Sequence, residues 1–433
     1  MIRDTQINYK FVFIPIFMST ERKKRDPFAV LKNKEFLLFL NTRFFMTMAI
    51  QMQGVIVGLQ IYKHTKDAFA LGMIGLAEAI PFIITSLFSG HVADTYNRKR
   101  IIVISTASLL ISTCILLYFS SNSVEMLRKY GTLPIFLVIG LTGVIRGFIS
   151  AALTPFMSQL LDREWYTSAA TWNSSVWHTG AVLGPPVAGF LCALSFDAAY
   201  EINLIFIVLS IFSLLLIKSR PLPLKEKKET LRESLSAGIK FVFSNQLILG
   251  PISLDLFAVL FGGAVAMLPV YADKVLHVGE VEFGFLRSIP AVGAVVTAII
   301  MAYHPPTKKA GKNLLLSIGA FGIATILFGL STNYYWSLFF LFLTGAFDNV
   351  SVVIRHTVLQ LATPDHMRGR VSAVNSIFIG SSNEIGAFES GLAARLMGLI
   401  PSVVFGGVMT VFIVGATAKL APRLRKLDLK EIE

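Results

Sequence analysis

The chain has 433 residues, 54% of them hydrophobic, with 35 phenylalanines and a net charge of +13. Charged residues make up 15%, against about 25% in a soluble globular domain. That balance excludes a soluble enzyme: so much apolar surface needs a hydrocarbon solvent, not one aqueous core. The two cysteines, Cys114 and Cys192, lie inside apolar runs and form neither a metal motif nor a disulfide framework. No basic patch interleaved with aromatics, zinc finger or helix-turn-helix signature points to nucleic acid.

In chain order, residues 1–35 read as a cytoplasmic tail; the short apolar run at 11–17 lacks a following cleavage site. Twelve apolar segments follow, at 36–62, 68–93, 101–121, 132–155, 171–195, 202–218, 247–272, 281–303, 313–331, 334–358, 371–395 and 398–418. Each is close to the ~20 residues that cross a bilayer core. The segment 231–243, between the sixth and seventh, is mildly amphipathic and suited to lie along the membrane face. Lysine and arginine number eight in the first tail and twenty-one in the loops and tail on the same side. The opposite side holds five: Lys63, Lys66, Arg128, Lys129 and Lys274. The positive-inside rule then puts both termini in the cytoplasm. The fold expected is an all-α polytopic membrane protein of twelve transmembrane helices in two pseudo-symmetric six-helix bundles. Their residues are 36–218 and 247–418, joined by a charged linker at 219–246 and followed by a tail at 419–433.

Three motifs carry more than hydropathy. Gly90-His91-Val92-Ala93-Asp94-Thr95-Tyr96-Asn97-Arg98-Lys99-Arg100 joins the second and third segments. Gly90 is expected to allow close helix approach, and Asp94 to accept hydrogen bonds at a helix end or pair with a basic residue such as Arg98. Gly180-Ala181-Val182-Leu183-Gly184-Pro185-Pro186-Val187-Ala188-Gly189 puts small residues at 180, 184 and 188 on one face, with two prolines that remove donors and bend the helix. Pro364-Asp365-His366-Met367-Arg368-Gly369-Arg370-Val371 enters the eleventh segment. Tight turns and ordinary helix packing are the plainer readings of the first two.

The first stretch resembles the signature loop of the major facilitator superfamily, with Thr95 where arginine is frequent. The second resembles the Gly-x-x-x-Gly-Pro-x-x-Gly motif of that superfamily's drug:proton antiporters, and the third resembles the second-half counterpart of the Gly90 loop. With Ala77-Glu78-Ala79-Ile80-Pro81 and the run from Asn383 to Gly391, the chain resembles the branch that includes macrolide efflux proteins and the enterobactin exporter. The resemblance covers roughly residues 35–418. It implies export by alternating access in a bacterial inner membrane, with Arg146 linked to proton handling.

Ionisable groups inside membrane segments need a partner, a cavity or a task. Glu78, Arg146, Asp255, Asp348, Arg355, Glu384 and Glu389, together with Asp94 and Arg98, are the candidates for proton coupling or gating. Asp348 and Arg355 are seven apart and share a helix face; Glu384 and Glu389 are five apart and diverge. Arg287 is a possible partner for one of these acids, and His178 reads as a packing histidine. Arg43, Gln51, Gln53, Asn173, Trp177, Phe257, Phe261 and Asn383 are the candidates for substrate contact; the aromatics fit a lipid-facing surface equally well. Gly90, Gly180, Gly184, Pro185, Gly189 and Gly369 are the conformational positions.

Neither a phosphate-binding loop nor a catalytic constellation is present, so an ion gradient is the expected driving force and no cofactor is expected. No compact Asp/His/Cys cluster suggests a metal. The expected activity is proton-coupled export of an amphipathic small molecule: a drug, macrolide-like compound or siderophore. An uncoupled facilitator or importer, and a non-transporting sensor or scaffold, are the alternatives. The expected partners are the substrate, protons and lipids, with a monomer as the working unit.

Overall fold

A computed structural model describes residues 28–220, 231–304, 306, 308–364 and 367–429. Asp365 and His366, and most of the first tail and the linker's middle, lie outside the described residues. The chain is all-α: α1 (Lys34–Thr65), α2 (Ala68–Thr95), α3 (Arg98–Ser121), α4 (Ser123–Tyr130), α5 (Leu133–Gln159), α6 (Tyr166–Leu194), α7 (Phe196–Leu216), α8 (Leu231–Ser244), α9 (Gln246–Phe261), α10 (Leu268–Tyr271), α11 (Glu280–Tyr303), α12 (Ala310–Leu330), α13 (Tyr334–Ala362), α14 (Arg368–Met397), α15 (Leu399–Leu420) and α16 (Pro422–Arg425). Short polar residues start many of these helices. Asn33, Asp67, Asn97, Ser195, Asn245 and Asn333 each accept a hydrogen bond from a backbone N–H of the first turn.

Among the described residues, eleven helical segments are long and apolar enough to cross a membrane. The chain is therefore a multi-pass membrane protein. The expected eleventh span, α14, is 30 residues long but less apolar, because Asn375, Ser381, Ser382, Asn383, Glu384 and Glu389 interrupt its hydrophobic run. The expected seventh span is not one helix. It is α9, a 3-10 turn at Gly263–Met267, the short α10 and a π-turn at Ala272–Leu276. The paired Gly262 and Gly263 weaken the helix at that point. The segment 231–243 is helical within α8, which packs on α14 and α9. The region after 419 is no free tail up to Leu429. Leu424, Leu427 and Leu429 join the core around Leu254 and Leu314, and the Gly311 N–H donates to the Leu427 carbonyl at 3.0 Å.

Helices α1, α2, α3, α5, α6 and α7 pack among themselves, as do α9 and α11–α15. Contact between the two groups runs mainly along α2 with α14 and α6 with α11. A Cβ on Gly72 would stand 2.9 Å from the Cα of Gly391, and one on Gly284 would stand 2.7 Å from the Pro185 carbonyl oxygen. Both seams therefore need bare backbone.

The core is partitioned unequally. One cluster joins Met52, Ile56, Tyr62, Leu71 and Tyr200 to Met267, Leu268, Tyr271, Phe283 and Phe328 across the two groups. The other clusters stay within one group: Phe36, Ile102 and Phe156 in the first, Leu254 and Leu314 or Val242 and Ile252 in the second. The groups are thus sealed together at the end carrying the α1–α2 and α6–α7 turns and hold separate cores at the other. Tyr62 Oη donates to Asp273 Oδ2 at 2.7 Å, and Lys66 Nζ reaches the same oxygen at 3.1 Å, so the sealed end also has a polar tie.

Candidate functional site

A cavity of about 470 Å³ lies between the two helix groups. Helices α1, α2 and α5 form one wall; α11–α14 and the broken segment 262–266 form the other. Its size suits a drug-sized molecule.

Arg146 of α5 is its electrostatic centre. The guanidinium Nη1 contacts Glu78 Oε1 of α2 and lies 3.0 Å from Glu384 Oε1 of α14. One cation thus serves carboxylates from both groups, and the Arg146–Glu384 pair bridges them. The Arg146 side chain keeps 36% exposure while the two acids keep 14% and 17%, so the cation faces the open space. The Arg146 guanidinium also stands 5.9 Å from the centre of the Phe82 ring. Arg287 of α11 lines the cavity, donates Nη1 to the Val265 carbonyl at 3.1 Å, and lies within electrostatic reach of Glu384 and Glu78.

Of the residues singled out in the sequence, Gln51, Gln53, Glu78, Arg146, Asp348, Asn383 and Glu384 line this cavity. Gln53 is tied down: it donates to Thr142 Oγ1 at 3.3 Å and accepts from Thr113 Oγ1 at 3.4 Å. Asn383 donates to its own helix at Ile379.

Others lie elsewhere. Asp255 and Arg355 contact each other, with side chains 6% and 3% exposed, and bind α9 to α13 away from the cavity wall. Arg355 is therefore engaged by Asp255 and not by Asp348. Glu389 sits half-buried beside Ser390, outside the wall. Arg43, Asn173, Trp177, Phe257 and Phe261 are also outside it. Phe257 is 44% exposed, Trp177 stacks edge-on against His178, and Phe261 packs on Phe405. Helical wheels alone do not tell a lipid-facing aromatic from a cavity-facing one.

The motif glycines divide by role. Gly180 and Gly184 press on Thr47 and Gln51 of α1, while Gly189 faces Glu280 and Gly284 of α11. Pro185 lies inside α6, which continues through both prolines. Gly369 falls in the first turn of α14. Gly90 departs from expectation: a Cβ there would meet nothing within 4 Å, because it lies on the unsealed side where the two helix groups stand apart. Nearby, Arg98 reaches Asp94 at 3.4 Å and donates to the Ala93 and Pro155 carbonyls, fastening the ends of α2 and α5.

Sequence reasoning missed Thr142, Phe283, Phe321, Phe328 and the 262–266 break as parts of the wall. The Gly262-Gly263 pair was the one local signal. The rest depend on how separate helices face one another.

A model of the Major Facilitator Superfamily matches residues 39–387. The chain belongs to that superfamily. It is accordingly a secondary transporter of small molecules and not an enzyme. This superfamily member is 25% identical over 371 residues to the enterobactin exporter EntS of Escherichia coli O1:K1, covering 84% of this chain and 86% of that one. The same identity and coverage hold for EntS of Shigella boydii serotype 18. A solved peptide transporter of the POT family has the same fold, with a TM-score of 0.73 at 12% identity over 92% of this chain and 96% of that one. The fold is also shared by a bacterial homologue of the human lysosomal transporter Spinster, with a TM-score of 0.69 at 14% identity, covering 92% and 98% of the two chains.

Proposed function

We propose that this protein is a proton-coupled exporter of an amphipathic small molecule, working by alternating access in a bacterial inner membrane. The observation that carries the reading is the sharing of Arg146 by Glu78 and Glu384 at the wall of a central cavity. In this reading α14 is the eleventh of twelve spans, and the two helix groups are six-helix bundles joined by the 219–246 linker. The lysine and arginine asymmetry makes both termini cytoplasmic and the sealed end external. The form described is then open to the cytoplasm. The working unit is a monomer, because the two bundles enclose the path by themselves.

The chemistry follows from a permanent charge between two titratable ones. Arg146 carries a permanent charge, so a proton taken up by Glu78 or Glu384 removes the negative partner that holds the tie. In this reading the form that holds the Arg146–Glu384 tie is the proton-free form, ready for substrate. In the opposite form the acids meet the outer solution and accept protons, which cancels the Arg146–Glu384 tie. Return then re-forms the tie and releases the protons inside. Substrate and proton thus bias one equilibrium in opposite directions, a reciprocal coupling. The resemblance to an exporter favours the outward direction.

The test is uptake of a compound panel into inside-out vesicles, with and without an acidic interior. Gradient-driven accumulation of one compound class is expected. Glu78→Gln or Glu384→Gln should abolish accumulation while leaving equilibrium exchange. Equal uptake with and without the gradient, in wild type and both variants, would establish an uncoupled facilitator instead.

A further inference from the structure

The charged groups of the cavity wall do not balance. Arg146 and Arg287 face Glu78, Glu384 and Asp348, so two cations meet three acids. The first four are accounted for. Arg146 contacts both glutamates, and Arg287 lies within their field. The uncompensated charge belongs to Asp348 of α13. Among the described residues no side chain forms an ion pair or hydrogen bond with its carboxylate. The cation seven residues along the same helix, Arg355, is taken by Asp255. A carboxylate in a membrane interior calls for a partner, a cavity or a task, and this one opens on the cavity.

The surroundings suit an apolar cation. Phe283, Phe321 and Phe328 line the same cavity. Aromatic faces attract cations, and more so when water is excluded. The volume of about 470 Å³ accommodates a bulky organic group and not only a bare ion.

We infer that Asp348 is the recognition carboxylate for a cationic amphiphile, such as a protonated amine on a large apolar skeleton, and is separate from the Arg146 coupling centre. The inference rests on the transporter reading for its purpose but not for its measurement. An anionic amphiphile would meet an excess of negative charge on this wall.

The test uses two probes of nearly one shape and opposite charge, tetraphenylphosphonium and tetraphenylborate, binding at equilibrium to purified protein without any gradient. Wild type should prefer the phosphonium. Asp348→Asn should weaken phosphonium binding by about thirtyfold or more, the loss expected when one partner of a desolvated charge pair is removed. Asp348→Glu should retain the preference. Thermal unfolding of each variant reports whether it folds; if Asp348→Asn does not, the wild-type preference and the Asp348→Glu result decide. Preference of wild type for the borate, or unchanged phosphonium binding in folded Asp348→Asn, would overturn the inference. Charge-selective binding with no proton coupling in vesicles would reject the antiport mechanism and leave the recognition role standing.

Discussion

At the residue scale, two ion pairs in one membrane interior serve different ends because one faces open space and the other does not. Asp255 and Arg355 are almost fully enclosed, so removing one partner leaves an uncompensated charge. Arg355→Met is expected to destabilise the fold by about 3–5 kcal/mol. Asp255→Leu combined with Arg355→Met should recover much of that loss, because an apolar pair carries no charge-desolvation penalty. Thermal unfolding in detergent measures both, and an additive double variant would deny the pairing. Arg146 faces the cavity, so its replacement should act on transport more than on folding. Arg146→Lys keeps the charge but places it as a compact ammonium at the end of a flexible chain, which serves two carboxylates from different helices poorly. Proton-driven accumulation is expected to fall by about tenfold or more with thermal stability nearly kept. Full activity in Arg146→Lys would show that charge alone suffices.

Helix pairs record which way the molecule is closed. The α2–α14 and α6–α11 seams allow no side chain at Gly72, Gly284 or Gly391, whereas Gly90 has open space around it. A glycine at the open end is explained if that end closes in the other access state of the proposed cycle. Gly90→Leu should therefore leave the thermal stability of the form described almost unchanged and block the change to a form closed at this end. Gly284→Leu should do the reverse, loosening the sealed seam against Pro185. Cysteine-labelling rates at positions on the two ends distinguish these outcomes. Similar labelling for both variants would remove the seams' conformational role. Among the elements, the break at 262–266 also matters: non-helical backbone is tolerated there because it lines a cavity and not lipid.

For the whole molecule, the sealed end depends on a shared apolar core and on Tyr62 and Lys66 holding Asp273 across 211 and 207 residues of chain. Exposed ion pairs contribute little singly, typically under about 1 kcal/mol. Conformational states that exchange in a transporter typically lie within about a few kcal/mol of each other, so a small change is enough to move the balance. Asp273→Asn is expected to shift the population toward the form open at this end. Spin labels at Lys63 and Lys274 should then report a longer mean distance than in wild type. An unchanged distance distribution would assign the closure to the apolar core alone.

Hydropathy and charge by themselves determined that this chain crosses a membrane as a set of helices, because bilayer thickness fixes segment length and a helix satisfies its own backbone. The same local reading found Glu78, Arg146 and Glu384 as expensive charges in need of partners. It could not pair them: 68 and 238 residues separate Arg146 from its two acids, and only the packing of α5 against α2 and the meeting of α2 with α14 brings them together. Nor could it separate Asp348 from Arg355, since a seven-residue spacing makes them neighbours on one face until Asp255, on another helix, takes the arginine. Phe257 and Trp177 lie outside the cavity wall, and the sequence could not say so for a similar reason: aromatic rings suit lipid and pocket equally, and only neighbouring helices decide which they meet. Composition chose the solvent and periodicity chose the helices, both through short-range physics. The partners of the buried charges, the side on which the molecule is closed and the acid left without a partner were decided by tertiary packing, which acts between residues that the sequence keeps far apart.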